Sequence, residues 1–360
     1  MSGIEEKIRK IEEEMARTQK NKATEHHLGR LKAKIAQLKA EAEHKKSIGK
    51  SSYGYGLKKE GDATVVLLGF PNAGKSSILS KLTNAKSEIA NYEFTTLRVI
   101  PGMMVHKGFR IQILDIPGII TGASKGKGRG KEVLSIARSA DLILIVVPAD
   151  RPEQYQLIVE EMEKAGVVLN KERPYVRIER TATGGVKVLG STGKMSYNEI
   201  TGILSAFSIF NANVVVGRDV DSDAFIEAIL PRTVYKKAIV VENKVDIAKP
   251  SLSFALPISC ATGYNIEKLK DFIVDNLGFI RVYTNPKGGK PDQEPIILPK
   301  GATVADLCAK IYRCMEAESR GAIVNGKSAS FPNQMVGLDH MLADGDVVRI
   351  VKHADKKRNR

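Results

Sequence analysis

The chain has 360 residues, of which 42% are hydrophobic, so it can bury about two or three separate domain cores. Its 56 Lys and Arg residues against 41 Asp and Glu residues leave a formal charge of +15, which favours a polyanionic partner. No apolar stretch reaches the roughly 18 residues of a membrane span and the charged N-terminus is unlike a signal sequence, so we expect a cytoplasmic protein without a membrane partner.

A helical hairpin is the first predicted element. Two apolar runs at helical spacing flank the polar stretch "TQKNKAT": Ile4, Ile8, Ile11 and Met15, then Leu28, Leu31, Ile35 and Leu38. Because each apolar stripe is narrow, we expect the hairpin to pack on a partner or on the rest of the chain. The following "GKSSYGYGLKKEGD" predicts a linker, so residues 1–60 form a helical hairpin with a basic linker.

Apolar strands then alternate with helices, in the order "TVVLL", "RIQIL", "LILIVV" and "KAIVV". This pattern predicts an α/β domain with a parallel, doubly wound sheet, to which we assign residues 61–167 and 235–281. Residues 168–234 contain the hairpin-like "YVRIERTATGGVKVLG", two helical patterns and the strand "ANVVVG", and predict a small inserted α/β domain.

The last part of the chain, residues 282–360, predicts a β-grasp domain with a basic tail. It combines the strand "IILP", a helix that Thr303 opens, the strand "GAIVNG" and the final strand "DVVRIVKH" before "KKRNR".

The stretch "GFPNAGKSS" fits G-x-x-x-x-G-K-[ST] and lies between a buried strand and a helix, which is the context that a phosphate-binding loop requires. Its backbone N–H groups would surround a β-phosphate, with Lys75 as a point charge near the β- and γ-phosphates and Ser76 as a hydroxyl ligand of Mg²⁺. The residues expected to contact the nucleotide here are Gly69, Pro71, Asn72, Ala73, Gly74, Lys75, Ser76 and Ser77.

Three further motifs follow in order, each at the carboxyl end of a predicted strand, where open α/β sheets bind ligands. In "DIPG", Asp115 would hold Mg²⁺ through water and the Gly118 N–H would contact the γ-phosphate. In "NKVD", the Asp246 carboxylate would accept both N1–H and N2–H₂ of guanine, while Asn243 reaches the other edge of the base and the Lys244 stem lies along its face. In "SCATG", the loop N–H groups expected near guanine O6 belong to Ser259, Cys260 and Ala261.

With these motifs the chain resembles, over nearly its full length, the DRG (developmentally regulated GTP-binding) proteins of the Obg group of GTPases, in their archaeal type. The resemblance implies a P-loop G domain interrupted by an insertion related to a ribosomal-protein fold, and a C-terminal TGS domain of β-grasp type. It also implies GTP hydrolysis with Mg²⁺, action on the ribosome or RNA in translation, and a small DRG-family regulatory protein as a partner. We expect the chain to be a monomer.

The segment "NYEFTTLRVIPG" resembles the Obg-group switch I, which implies that Thr96, or else Thr95, closes on Mg²⁺ when GTP is bound. Small regulatory GTPases place a water-orienting Gln directly after the "DxxG" glycine, whereas Ile119 and Ile120 follow it here. The resemblance to potassium-activated GTPases bearing "PNxGKS" implies that a K⁺ ion bound by Asn72 supplies positive charge instead. The residues given a catalytic role are therefore Lys75, Asn72, Thr96 and Gly118.

Other interpretations stay open. Asn72 can instead be a residue that tolerates the backbone of a tight turn. The chain can be a nucleotide-gated scaffold with negligible hydrolysis that binds RNA or the ribosome, whereas an ATP-using enzyme conflicts with "NKVD". We expect His26 and His27 to be exposed, and the three cysteines, Cys260, Cys308 and Cys314, to be reduced and buried because their spacing fits no metal site.

Overall fold

The computed structural model describes residues 3–19, 21–45, 60–83, 100–116, 135–230, 233–285, 290–311 and 319–352. The chain divides into two compact units, one of Met1–Gly54 with Gly166–Tyr235 and the other of Tyr55–Ala165 with Lys236–Arg360. Among the described residues, no helix is both long enough and apolar enough to span a membrane.

Within the described ranges, helices span α1 (Gly3–Arg17), α2 (Glu25–Lys45), α3 (Lys75–Leu82), α4 (Gln154–Lys164), α5 (Tyr197–Ala206), α6 (Ser222–Ile229), α7 (Ile266–Leu277) and α8 (Val304–Ile311). Strands span β1 (Ala63–Leu68), β2 (Ile100–His106), β3 (Phe109–Asp115), β4 (Leu142–Pro148), β5 (Val167–Leu169), β6 (Val176–Arg180), β7 (Val186–Leu189), β8 (Ala212–Val216), β9 (Val234–Lys236), β10 (Ala238–Asn243), β11 (Leu256–Pro257), β12 (Phe279–Thr284), β13 (Ile296–Pro299), β14 (Ser319–Asn325), β15 (Gln334–Val336) and β16 (Asp346–Lys352).

The predicted doubly wound domain is present as a six-stranded sheet in the order β11-β10-β4-β1-β3-β2. Its strands pair in parallel except for β2, which runs antiparallel to β3 at the edge. Strands β1, β4 and β10 are buried along their whole length, because helices cover both faces of a parallel sheet. Apolar residues of α3 and α7 pack with the sheet in one buried cluster. The mostly parallel G-domain sheet is therefore confirmed.

A second sheet in the same unit has the order β13-β12-β16-β14-β15 and packs on α8, which confirms the β-grasp domain. In α8, Val304, Leu307 and Cys308 are buried against this sheet. Strand β12 pairs with both β13 and β16, so this sheet extends across the boundary that we expected at residue 282.

The other unit consists of the helical hairpin and the inserted segment. The hairpin therefore packs on another part of the chain, which is one of the two arrangements that we expected. Helix α2 crosses α5 closely: a Cβ built on Gly29 would lie 2.7 Å from the carbonyl oxygen of Glu199, and one on Gly202 would clash with the carbonyl oxygen of His26. Lys32 in α2 also donates a 2.5 Å hydrogen bond to Ser222 Oγ at the start of α6. Glycine at the crossing therefore lets the two backbones approach.

The predicted hairpin in "YVRIERTATGGVKVLG" is wrong. Strands β6 and β7 do not pair with each other; β8 lies between them, antiparallel to β6 and parallel to β7. The physical reason is burial. Alternate residues of β8 are buried, whereas β6 and β7 have none that is fully buried, so the more apolar strand takes the central position. In the same unit β5 pairs with β9, and the Val234 N–H donates to the carbonyl of Gly166 at 2.8 Å.

Some expectations concern residues outside the described ranges. These are most of the linker before residue 60, the basic tail, Cys314 and the glycine-rich basic run "SKGKGRGK". His26 and His27 are exposed, as expected, and His27 Nε2 lies 2.9 Å from Glu14 Oε1. Cys260 and Cys308 are buried thiols, also as expected.

Candidate nucleotide-binding site

The phosphate-loop sequence forms a tight turn between β1 and α3. Gly74 precedes the helix with a left-handed φ of 96°, and Asn72 has a left-handed φ of 64°. A side chain at Gly74 would be strained by its φ and would clash with Nδ2 of Asn243. The second glycine of the motif is therefore required both by the turn and by the approach of a distant residue.

Lys75 is the first residue of α3 and is buried. Its Nζ donates to the carbonyl oxygens of Gly69 at 2.9 Å and Phe70 at 3.0 Å, which places the ammonium over the loop. Burial lowers the pKa of Lys75, and the nearby Asp115 carboxylate acts in the opposite direction. The Lys75 side chain thus lies beside the backbone of the phosphate loop.

Ser76 and Asp115, the two residues predicted to bind Mg²⁺, meet directly. Ser76 Oγ donates to Asp115 Oδ2 at 2.7 Å, because β3 lies beside β1 and ends where the loop begins. Asp115 is 1% exposed, and its Oδ1 has no hydrogen-bond partner among the described residues. A buried carboxylate oxygen without a donor, next to a hydroxyl, fits a divalent cation that prefers oxygen ligands.

The guanine motifs meet at the ends of β10 and β11. Ser259 Oγ donates to Asp246 Oδ1 at 2.5 Å and in turn accepts the Thr262 N–H at 3.2 Å. Lys244 has a left-handed φ of 66°, and its carbonyl accepts the Ile247 N–H at 3.0 Å. The Asp246 carboxylate is thereby held in one orientation by the "SCATG" loop.

Asn243 connects the two halves of the site, a role that the sequence reasoning missed. Its Nδ2 donates to the carbonyl oxygen of Ala73 at 3.0 Å, and its Oδ1 accepts the Cys260 N–H at 3.3 Å. The side chain is 2% exposed, so both bonds are shielded from water. That Asn243 also contacts the base stays a prediction.

A cleft of about 630 Å³ lies between these motifs, within the size range of small-molecule sites. Its lining includes Gly74, Ser76, Ser77, Asn243, Lys244, Asp246, Cys260 and Ala261, together with Ser80, Lys81 and Ile247, which the motifs did not indicate. Burial raises the pKa of the Cys260 thiol to about 11, with Lys81 opposing the shift, so at neutral pH the thiol is neutral.

Comparisons with known proteins agree with this geometry. A family model described as a 50S ribosome-binding GTPase matches residues 64–178, the C-terminal region of that domain matches 183–279, and a TGS domain matches 280–352. Developmentally-regulated GTP-binding protein 2 of Homo sapiens is 41% identical over 97% of this chain and 100% of that protein, and its homolog in Dictyostelium discoideum is 44% identical over the same shares. This chain belongs to the DRG family of GTP-binding proteins. A GTP-binding protein of Methanocaldococcus jannaschii is also 44% identical, over 97% of this DRG chain and 93% of the relative.

The DRG chain thus brings together the residues predicted from "GFPNAGKSS", the aspartate of "DIPG", "NKVD" and "SCATG". Pro71 and Asn72 are exposed on the phosphate loop. Thr95, Thr96, Gly118, Ile119 and Ile120 lie outside the described residues, so the assignments to the two switch segments stay predictions.

Proposed function

We propose that this DRG protein is a GTP-hydrolysing switch that acts on the ribosome or its RNA. The observation that carries the proposal is the Asn243 bridge, which ties the phosphate loop at Ala73 to the "SCATG" loop at Cys260. The bridge supports one nucleotide site in which Lys75 would bind the phosphates and Asp246 the base. A carboxylate that accepts from N1–H and N2–H₂ selects guanine over adenine, since adenine would leave it unpaired.

The chemistry assigned to the phosphates is charge stabilisation. Lys75 and the N–H groups of the phosphate loop would bind the β-phosphate and offset the negative charge that develops as the γ-phosphate leaves. Ser76 and Asp115 would hold Mg²⁺, which neutralises charge on the phosphate oxygens when bound. We assign closure over the γ-phosphate to Thr96 and Gly118.

Ile119 cannot orient a water molecule as Gln does, so another source of stabilisation is needed. We propose that K⁺, held in part by the Asn72 side-chain oxygen, supplies it. The left-handed φ of 64° explains an asparagine at this position without any cation, so the two explanations need an experiment to separate them.

The hydrolysis assay is phosphate release at saturating GTP in K⁺, Na⁺ and Li⁺ at equal ionic strength. We expect several-fold faster release in K⁺, an Asn72→Ala variant without that advantage, and a Lys75→Ala variant at the uncatalysed background. Equal rates in the three salts would leave Asn72 as a turn residue. Release by the parent chain at the background rate would favour the alternative, a nucleotide-gated scaffold.

The ribosomal partner is proposed from the charge of +15, the TGS domain and the family model. Co-sedimentation with ribosomes should depend on whether GTP, GDP or a non-hydrolysable analogue is present. It should also weaken steeply with salt, because binding to phosphates releases counterions. Co-sedimentation of equal strength with GTP, GDP and the analogue would argue against a switch. A small DRG-family regulatory protein would be tested as an addition to the same assay.

A further inference from the structure

We propose that Glu242 is a positioning residue for guanine recognition, acting through the loop that carries Asp246. This inference rests on the proposed function, since it names how the base-reading carboxylate is kept in place. Glu242 belongs to none of the nucleotide motifs. It is the residue of β10 directly before Asn243.

The Glu242 carboxylate is completely buried, with 0% exposure. Its Oε1 accepts the Ser251 N–H at 3.0 Å and the Ser251 hydroxyl at 3.3 Å, and its Oε2 accepts the Ser251 N–H at 3.1 Å and the Leu252 N–H at 3.1 Å. Burying a carboxylate is costly unless several donors stabilise the charged form. These donors all come from one short segment, so the carboxylate holds that segment specifically.

The anchored segment closes the guanine loop. The loop leaves β10 at Asn243, which is fixed by its bonds to Ala73 and Cys260, and it passes through Asp246 before it reaches Ser251. Because Glu242 and Asn243 are neighbours in β10, the two ends of the loop are fastened at the same point of the sheet. Asp246 lies between two fixed ends, and its position depends on both.

Glutamine at position 242 would remove the charge of the side chain and keep its shape. The amide has nearly the same size as the carboxylate but only one acceptor oxygen, and its NH₂ group would face N–H donors of the loop. Glu242→Gln should therefore weaken the hold on Ser251 and Leu252, because one oxygen cannot accept all of these bonds, while it leaves the packing volume of β10 unchanged. The second anchor of Asp246 is then loosened, but its bond to Ser259 is kept.

The test compares GDP with inosine diphosphate, which lacks the 2-amino group of guanine, on the full-length chain. In the parent, one charge-assisted hydrogen bond should make GDP bind roughly 10- to 100-fold more tightly than inosine diphosphate. In Glu242→Gln, we expect this ratio to fall at least about fivefold, which corresponds to the loss of roughly one third to two thirds of that bond's energy. The KM for GTP should rise while kcat at saturation stays near the parent value.

The matched control is Asp346→Asn, because Asp346 is also 0% exposed and also holds a loop, through the Ala343 N–H at 2.8 Å and the Ser328 N–H at 3.3 Å, but in the β-grasp domain. It should lower stability and leave the GDP preference unchanged. An unchanged GDP preference in folded Glu242→Gln would overturn the inference. A parent chain that does not discriminate between the two nucleotides would instead overturn the proposed function.

If Glu242→Gln fails to fold, Ser251→Gly provides the second variant, since Ser251 is exposed. It removes the hydroxyl bond and adds backbone freedom at the anchored end, so the GDP preference should fall about twofold. A GDP preference in Ser251→Gly identical to that of the parent would count against Glu242 as a positioning residue.

Discussion

Replacing Asn243 by alanine is the sharpest perturbation of the site, because it removes the link between its two halves. Two buried hydrogen bonds are lost, and the Ala73 carbonyl and the Cys260 N–H lose their partner. Each bond contributes about 0.5–1.5 kcal/mol, and an unsatisfied buried group costs about 1–3 kcal/mol. Allowing for water that enters the space left by the side chain, we expect the free energy of unfolding to fall by about 2–4 kcal/mol.

The chain has no tryptophan, so unfolding is best followed by circular dichroism and binding by a fluorescent GDP analogue. We expect the melting temperature of the G domain to fall by about 5–10 °C and the Kd for GDP to rise about 10- to 100-fold, since the loops for phosphate and base both lose their tether. Asn276→Ala is the control, because its side chain makes one local bond within α7, to the Phe272 carbonyl at 2.8 Å. Asn243→Ala with stability and GDP affinity equal to that control would refute the bridge as a structural link.

Asp246→Asn should shift base preference from GDP to xanthosine diphosphate, measured by competition, because xanthine offers an acceptor at position 2. Gly29→Ala should lower the free energy of unfolding of the unit that contains α2 and α5 by about 1–3 kcal/mol in a thermal melt. The reason is that its Cβ would lie 2.7 Å from a carbonyl oxygen of α5. Gly337→Ala is the control and should be neutral, because no atom lies within 4 Å of its Cβ. The Arg281 guanidinium holds the pKa of Asp344 below its ordinary value. The Asp344 carboxylate therefore stabilises the β-grasp domain above about pH 3.9, and this contribution is lost as pH falls through the lowered pKa. Thermal melts of Asp344→Asn should accordingly differ from those of the parent at pH 7 and converge with them in acid.

That the nucleotide motifs lie close together could be predicted, because each motif is short, continuous and placed at a strand end. Lys75 lies over the phosphate loop and Ser76 contacts Asp115, whereas their expected roles at the phosphates and at Mg²⁺ stay predictions. The bridging bonds of Asn243 could not be predicted, since they depend on which strands are neighbours in the sheet. Glu242 gave no signal either, because one acidic residue at the end of an apolar strand belongs to no motif.

Hydrophobic periodicity predicted the elements that depend on it. It did not predict helix contacts that depend on small residues or strand pairing between distant parts of the chain. The isoleucine and leucine stripes located both helices of the hairpin, but Gly29 and Gly202, which let α2 and α5 approach, carry no hydrophobic signal. The turn-rich stretch between β6 and β7 suggested a local hairpin. A strand that comes later in the chain pairs with both, and no local pattern can report such an insertion.

The pairing of β5 with β9 has a consequence for how the chain assembles. Strands β4 and β10 lie side by side, although residues 149–237 separate them in the sequence. A disordered connection of this length would impose a loop-closure penalty and slow the pairing. Because Gly166 and Val234 are hydrogen-bonded, a folded insert brings its own two ends together and shortens the effective connection. Early folding of the insert would therefore speed the pairing of β10 with β4, which places "NKVD" beside the phosphate loop.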